Sequence, residues 1–229
     1  MRPIMIIAPH VKDFKIAEQT VQNNEQAQVE YALLEDAIPI ALAAESKGAQ
    51  VIISRGGTTR LLERSELTIP VVDIAVSPFN VLNVIHHTQH LNSKITVLGS
   101  VRIIRGVEKI GRVLNVKLEV HEIYNRAEAQ EYVRSRMQSK NPIEVLIGGA
   151  VAESLAYEYK LPTVFLETSR EDIESSLEEA YKLLEVRRIE AQKTEQFKAI
   201  LDNINPVSYT HLTLPTKRVA VRCGGAPRQ

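Results

Sequence analysis

The sequence predicts an α/β protein of two similar lobes with parallel sheets, followed by a long C-terminal helix. Three observations carry that class. Short apolar runs alternate with longer amphipathic segments, and most of the runs are continuous, as in parallel strands buried on both faces. The segment 51–77, VIISRGGTTRLLERSELTIPVVDIAVS, aligns without a gap on 143–169, IEVLIGGAVAESLAYEYKLPTVFLETS. The offset of 92 pairs Gly56 with Gly148, Gly57 with Gly149, Pro70 with Pro162 and Ser77 with Ser169. From Arg170 to about Ile204 there is neither Gly nor Pro.

The elements follow in order. The apolar run Ile4–Ala8 reads as a strand, followed by an amphipathic helix over Val11–Asn23. Val29–Leu34 is a strand, Ile38–Lys47 a helix, and the apolar Gln50–Ser54 a strand closed by Gly56 and Gly57. A short helix over Thr58–Arg64, a strand at Val71–Val76 and a helix over Asn80–Leu91 complete the first lobe, residues 1–91. Asn92 and Ser93 are expected at the crossover. The second lobe, 92–169, repeats the alternation: strands Ile95–Gly99, Leu118–Tyr124, Glu144–Ile147 and Thr163–Leu166, with helices Arg102–Leu114, Ala127–Ser139 and Val151–Tyr159. In the final helix, 170–205, Leu177, Tyr181 and Leu184 share one face, and Phe197, Ile200, Leu201 and Ile204 form a second apolar cluster. Two readings of it stand: a lobe-covering helix with a solvated linker, or a signalling helix that pairs successive domains.

Composition narrows the function. The 229 residues are 44% hydrophobic and 24% charged, an ordinary globular mixture. No apolar run reaches the roughly 18 residues of a membrane span, and the N-terminus lacks the features of a signal peptide, so a cytoplasmic chain is expected. Val207–Thr216, VSYTHLTLPT, resembles a transposase-type sequencing-library adapter read in frame, and 206–229 is therefore read as a non-native tail. Setting aside its Lys217, Arg218, Arg222 and Arg228 leaves 24 basic residues of the 28, against 28 acidic ones, a net charge of −4. The single cysteine, Cys223, lies in the same tail, so no thiol chemistry is expected of the remainder. A mildly acidic chain is also a poor non-specific nucleic-acid binder.

The most informative local motif is Ser54-Arg55-Gly56-Gly57-Thr58-Thr59, placed between a buried strand and a helix. Two glycines allow a tight turn, the following amides suit a carboxylate or phosphate, and Arg55 can add a bidentate contact. It is neither a dinucleotide fingerprint nor a Walker loop. Gly148 and Gly149 repeat the turn without the Arg or Thr, so the anionic end of a ligand is expected to face the first lobe. His10, Ser77, Asn80, Ser100, Thr168 and Ser169 stand at other strand ends, where α/β sheets bind ligands. Each also has a simpler capping or turn role open to it. His86 and His90 share a metal-compatible i, i+4 spacing, but no carboxylate is near them, and no metal or other cofactor is expected. No G-x-S-x-G elbow or H-E-x-x-H motif occurs, and two-lobe amino-acid racemases use a cysteine pair that the native region lacks.

At Ser54–Thr59, at Ile69-Pro70-Val71-Val72, and again through KITVLGS (94–100) and VLIGGAVAESLAYEYKLPTVFLETS (145–169), the chain resembles the receptor domain of the propionate catabolism activator, found in sigma-54-dependent regulators. The resemblance covers about residues 3–185. It implies two flavodoxin-like lobes around a ligand cleft, a small organic-acid effector (2-methylcitrate in the founding branch) and no enzyme activity in this part. It also implies a PAS sensory domain, an ATPase and a DNA-binding helix-turn-helix downstream, with RNA polymerase sigma-54 and DNA as partners through those domains only. Homo-oligomerisation through the final helix is expected. Where the family commonly has S-G-Y-D, this chain has Ser77-Pro78-Phe79-Asn80, and the loop Glu167-Thr168-Ser169-Arg170 departs from the usual Ser-Gly form. Both changes point to an altered ligand preference. The competing readings are a stand-alone two-lobe binding protein and a racemase- or lyase-type enzyme.

Overall fold

The protein is described by a computed structural model that covers residues 2–88 and 94–203. Two four-stranded, all-parallel sheets form its centre. The first contains β1 (Ile4–Ala8), β2 (Ala27–Tyr31), β3 (Val51–Ser54) and β4 (Val71–Asp73), in the order β2-β1-β3-β4. The second contains β5 (Ile95–Gly99), β6 (Leu118–Glu122), β7 (Val145–Gly148) and β8 (Thr163–Phe165), in the equivalent order β6-β5-β7-β8. The central strands β1, β3, β5 and β7 are the continuous apolar runs, and helices on both faces bury almost all of them.

The helices are α1 (Val11–Val21), α2 (Ala37–Ser46), α3 (Gly56–Glu63), α4 (Pro78–Thr88), α5 (Val101–Val113), α6 (Arg126–Met137), α7 (Ala150–Glu158) and α8 (Arg170–Asn203). Most boundaries lie within two residues of the sequence expectation; β4 ends at Asp73, three residues before the expected Val76, and β2 also departs from it. It ends at Tyr31, although the apolar run continues to Leu34. Leu34 adopts a left-handed φ of 52° and its amide donates to Thr58 Oγ1 at 3.0 Å, so tertiary contacts with α3 turn the chain out of the strand.

Register corrects the ungapped repeat. Ile52 donates to the Pro70 carbonyl and Leu146 to the Pro162 carbonyl, so the proline halves match at the offset of 92. Ser54, however, pairs with Asp73 where Gly148 pairs with Phe165. Gly148 therefore occupies the place of Ser54, not of Gly56, and Gly149 that of Arg55. The first lobe has two more residues between its strand end and its proline strand.

The hydrophobic cores do not divide at residue 91. The buried face of α4 (Val81, Val84, Ile85) packs with Ile95, Val97 and Ile147 of the second sheet. In return Ile173, Leu177 and Ala180 of α8 pack with Ile4, Ile6 and Val51 of the first. The lobes thus exchange covering helices, and the chain crosses between them after β4 and after β8. Residues to Ile189 form one compact unit, so the first part of α8 belongs to the lobes. Residues from Glu190 form a second unit, in which Phe197, Ile200 and Leu201 are exposed. The expected crossover at Asn92 and Ser93, and the 206–229 tail, lie outside the described residues.

Two glycines should respond to alanine with opposite signs. A Cβ on Gly148 would stand 2.4 Å from the Leu98 carbonyl oxygen and 2.5 Å from Ala152 Cβ. Gly148→Ala should cost about 3 kcal/mol or more in urea denaturation, since strand backbone cannot yield cheaply. A Cβ on Gly106, inside α5, would meet nothing within 4 Å. Gly106→Ala should raise stability by about 1 kcal/mol through helix propensity.

Candidate functional site

The four central strands point their carboxyl ends at one cavity between the lobes. Pro9 follows β1, Arg55–Thr58 follow β3, Gly99–Ile103 follow β5 and Gly149–Ala152 follow β7, and all of these segments contribute to its lining. The cavity encloses about 580 Å³ of space including its mouth, and Leu33, Leu34 and Ile123 supply apolar wall. The beginnings of α3, α5 and α7 all face it. In α5 the first intrahelical bond runs from the Ile104 amide to the Ser100 carbonyl, and in α7 from Glu153 to Gly149. The amides before them lack intrahelical acceptors and carry the positive ends of the helix dipoles.

Ser100 is the N-cap of α5, yet its hydroxyl makes no capping bond. It is 94% buried, lines the cavity, and its Oγ has no hydrogen-bond partner. A buried hydroxyl in that condition has desolvation cost without compensation, which an acceptor in the cavity would relieve.

Arg55 is not the free anion-binding cation that the sequence suggests. Its guanidinium is only 5% exposed. Nη1 donates to Thr168 Oγ1 at 2.6 Å and to both oxygens of Asp13 at 3.3 and 3.4 Å, and Nη2 donates to the Leu166 carbonyl at 2.5 Å. It ties the β3–α3 turn and α1 to the crossover after β8. Asp13 itself was missed in the sequence. The available signal was its alignment with Ala17 and Val21, the buried stripe of α1.

The other expected residues divide cleanly. Gly56, Gly57, Thr58, Ser100 and Gly149 line the cavity together with Arg55. Gly56 has a φ of +62°, and its amide donates to Asp73 Oδ1 at 3.0 Å. Thr58 accepts from Leu34. Ser54 is wholly buried and donates to the Ile7 carbonyl, and Gly148 is a packing glycine. Ser77 accepts from the Phe79 amide at the start of α4, and Ser169 accepts from the Asp172 amide at the start of α8. Asn80 donates to the Glu167 carbonyl and to Asp172 Oδ2, and Thr168 accepts from Arg55.

His10 caps α1 through Nδ1, which accepts from the Lys12 amide, while Nε2 lies 2.6 Å from Glu153 Oε2 across the cleft. Its ring packs 4.2 Å from that of Phe165. It borders an outer groove rather than the cavity. Further cross-lobe pairs join Arg60 to Glu122 at 2.7 Å and Lys12 to Glu167 at 2.9 Å. Of the histidine pair, His86 lies on α4 and His90 is outside the described residues. Among the described residues no group of His, Cys, Asp and Glu could hold a metal, and no helix is long and apolar enough to cross a membrane.

Removing Arg55 would leave Asp13, 2% exposed, as a buried unpaired carboxylate. Arg55→Ala should lose about 3–5 kcal/mol of unfolding free energy by chemical denaturation. Arg55→Lys should recover less than half of it, because one ammonium cannot span the same three acceptors.

The chain is similar to solved structures. An NtrC-family transcriptional regulator from Clostridium acetobutylicum superimposes with a TM-score of 0.69 at 21% identity, covering 80% of this chain and 97% of that one. A conserved domain protein from Vibrio cholerae gives 0.45 at 14% identity over 75% and 76%. Glutamate racemase from Aquifex pyrophilus gives 0.35 at 16% identity over 78% and 83%, too low to argue for its chemistry. A comparison with curated proteins returned no match. Residues 21–190 match the model of the propionate catabolism activator family, and this chain belongs to that family.

Proposed function

We propose that this regulator-family chain senses a small organic acid held between its lobes, with a carboxylate directed at Ser100 and the N-terminus of α5. The unpartnered, buried Ser100 hydroxyl carries this reading. Free amides at the starts of α5 and α7 support it, because helix N-termini favour anions. The sequence asymmetry points to the first lobe for the anionic end. The side-chain partners support the second, since Arg55 is already paired with Asp13 while Ser100 is not.

A binding role suits the cavity better than catalysis. The titratable side chains lining it are Asp13, Arg55 and Tyr124, and the first two are consumed in one buried pair. Ligand bridging would favour the closed arrangement already spanned by His10–Glu153 and Arg60–Glu122. In this reading α8 carries the change to sigma-54-dependent ATPase and DNA-binding domains downstream, and the exposed Phe197, Ile200 and Leu201 support pairing with a second copy.

Calorimetric titration of the chain with 2-methylcitrate, citrate and tricarballylate tests the reading. At least one should bind. Ser100→Ala should weaken that binding about tenfold or more, the worth of a hydrogen bond to a charged group, while leaving the melting temperature of the free protein unchanged or higher. Absence of binding by all three acids, or an equal affinity in Ser100→Ala, would remove the proposal.

A further inference from the structure

Among the described residues that line the cavity, Tyr124 and Asn125 alone are exposed, so they mark its mouth. The outer groove meets the cavity at Pro9, Leu33 and Ala150, and none of these three is exposed. Asn125 is pinned, because its side chain caps α6 by accepting from the Glu128 amide at 2.8 Å. The backbone around Tyr124 is pinned as well. The Ile123 amide donates to the Gly99 carbonyl at 3.0 Å, and the Tyr124 amide donates to Glu128 Oε2 at 2.9 Å. What can move at the mouth is the Tyr124 side chain, by rotation about its own bonds.

A contact from the opposite lobe restrains it. The Arg60 guanidinium carbon, on α3, lies 4.4 Å from the centre of the Tyr124 ring. Its Nη1 donates at 2.7 Å to Oε1 of Glu122, two residues before Tyr124. Arg60 is 21% exposed and Glu122 27%, so solvent screens this pair less than it would one on an open surface. Arg60 also follows Gly56, which lines the cavity, by one helical turn. Ring and guanidinium belong to different lobes, and their stacking holds only while the lobes stand together.

We infer that Tyr124 is the door of the cavity and that Arg60 latches it across the cleft. A small molecule enters or leaves when the stack opens and the ring turns aside. The use of this door rests on the proposed acid site, whereas its existence can be tested without any acid.

Ser100 lies inside the door and is 6% exposed, so a thiol placed there reports access. Ser100→Cys, in a Cys223→Ser background, is treated with methyl methanethiosulfonate, a small neutral reagent, and its modification is followed by intact mass. The thiol should react much more slowly than N-acetylcysteine. Arg60→Ala and Tyr124→Ala should each accelerate it about fivefold to tenfold, the worth of the stack and the ion pair. Both together should add little to the faster of them, since they disable one device. Tyr124→Trp, which keeps a ring beneath the guanidinium, should stay slow. Lys12→Ala breaks another cross-lobe pair and should change nothing. Equal acceleration by Lys12→Ala would reveal a general loosening of the lobes and overturn the inference. So would a rate unmoved by Arg60→Ala and Tyr124→Ala, or a thiol as reactive as the free one. The 2-methylcitrate titration stands apart from this. A guarded thiol without acid binding keeps the door and removes the acid site, and acid binding with an unguarded thiol does the reverse.

Discussion

The buried Arg55–Asp13 pair organises the cleft. Its guanidinium holds α1 of the first lobe on one side, and Thr168 with the Leu166 carbonyl on the other. Those last two belong to a segment through which the chain passes from the second lobe back to the first. A planar guanidinium spreads its donors over separate nitrogens and so reaches a carboxylate, a hydroxyl and a carbonyl standing on different sides of it, whereas an ammonium directs its three donors from a single point. The pair is dry enough that either member alone would be a buried charge. The rim contacts, His10–Glu153 and Lys12–Glu167, are more exposed and individually weaker. The deep pair therefore fixes the crossover more firmly than the rim contacts do.

Helix exchange gives that fixed point its consequence. Each sheet is covered partly by a helix supplied from the far side of a crossover, α4 on the second sheet and α8 on the first. Neither core is complete without the other half of the chain. At the start of α8, Asn80 of α4 reaches the Glu167 carbonyl and Asp172. A single helix face thus belongs both to a core and to the exit from the lobes.

Directional electrostatics come from the backbone. Parallel strands deliver three helix N-termini to the same cavity, so its polarity is built from amides rather than from side-chain cations. The proposed anion site therefore does not depend on Arg55, which is neutralised by Asp13. Ser100, a common capping residue, stands out only when its missing capping bond is seen.

The sequence by itself determined the class, the repeat and nearly every element, because hydrophobic period and Gly/Pro punctuation are local properties of the chain. It also exposed the strand ends, since parallel strands place their carboxyl ends at one edge, here beside the cavity. It could not separate Arg55 as a ligand-binding cation from Arg55 as an internal clamp. That depends on Asp13 and Thr168, 42 and 113 residues away along the chain. Nor could it show that Ser77, Asn80 and Ser169 cap or tie helices while Ser100 is left without a partner, because hydroxyl-bearing residues at strand ends look alike until their neighbours are fixed. The two-residue displacement in the repeat and the exchange of α4 and α8 were likewise decided only in the tertiary structure. Each depends on which distant surfaces meet, and local pattern carries no record of that.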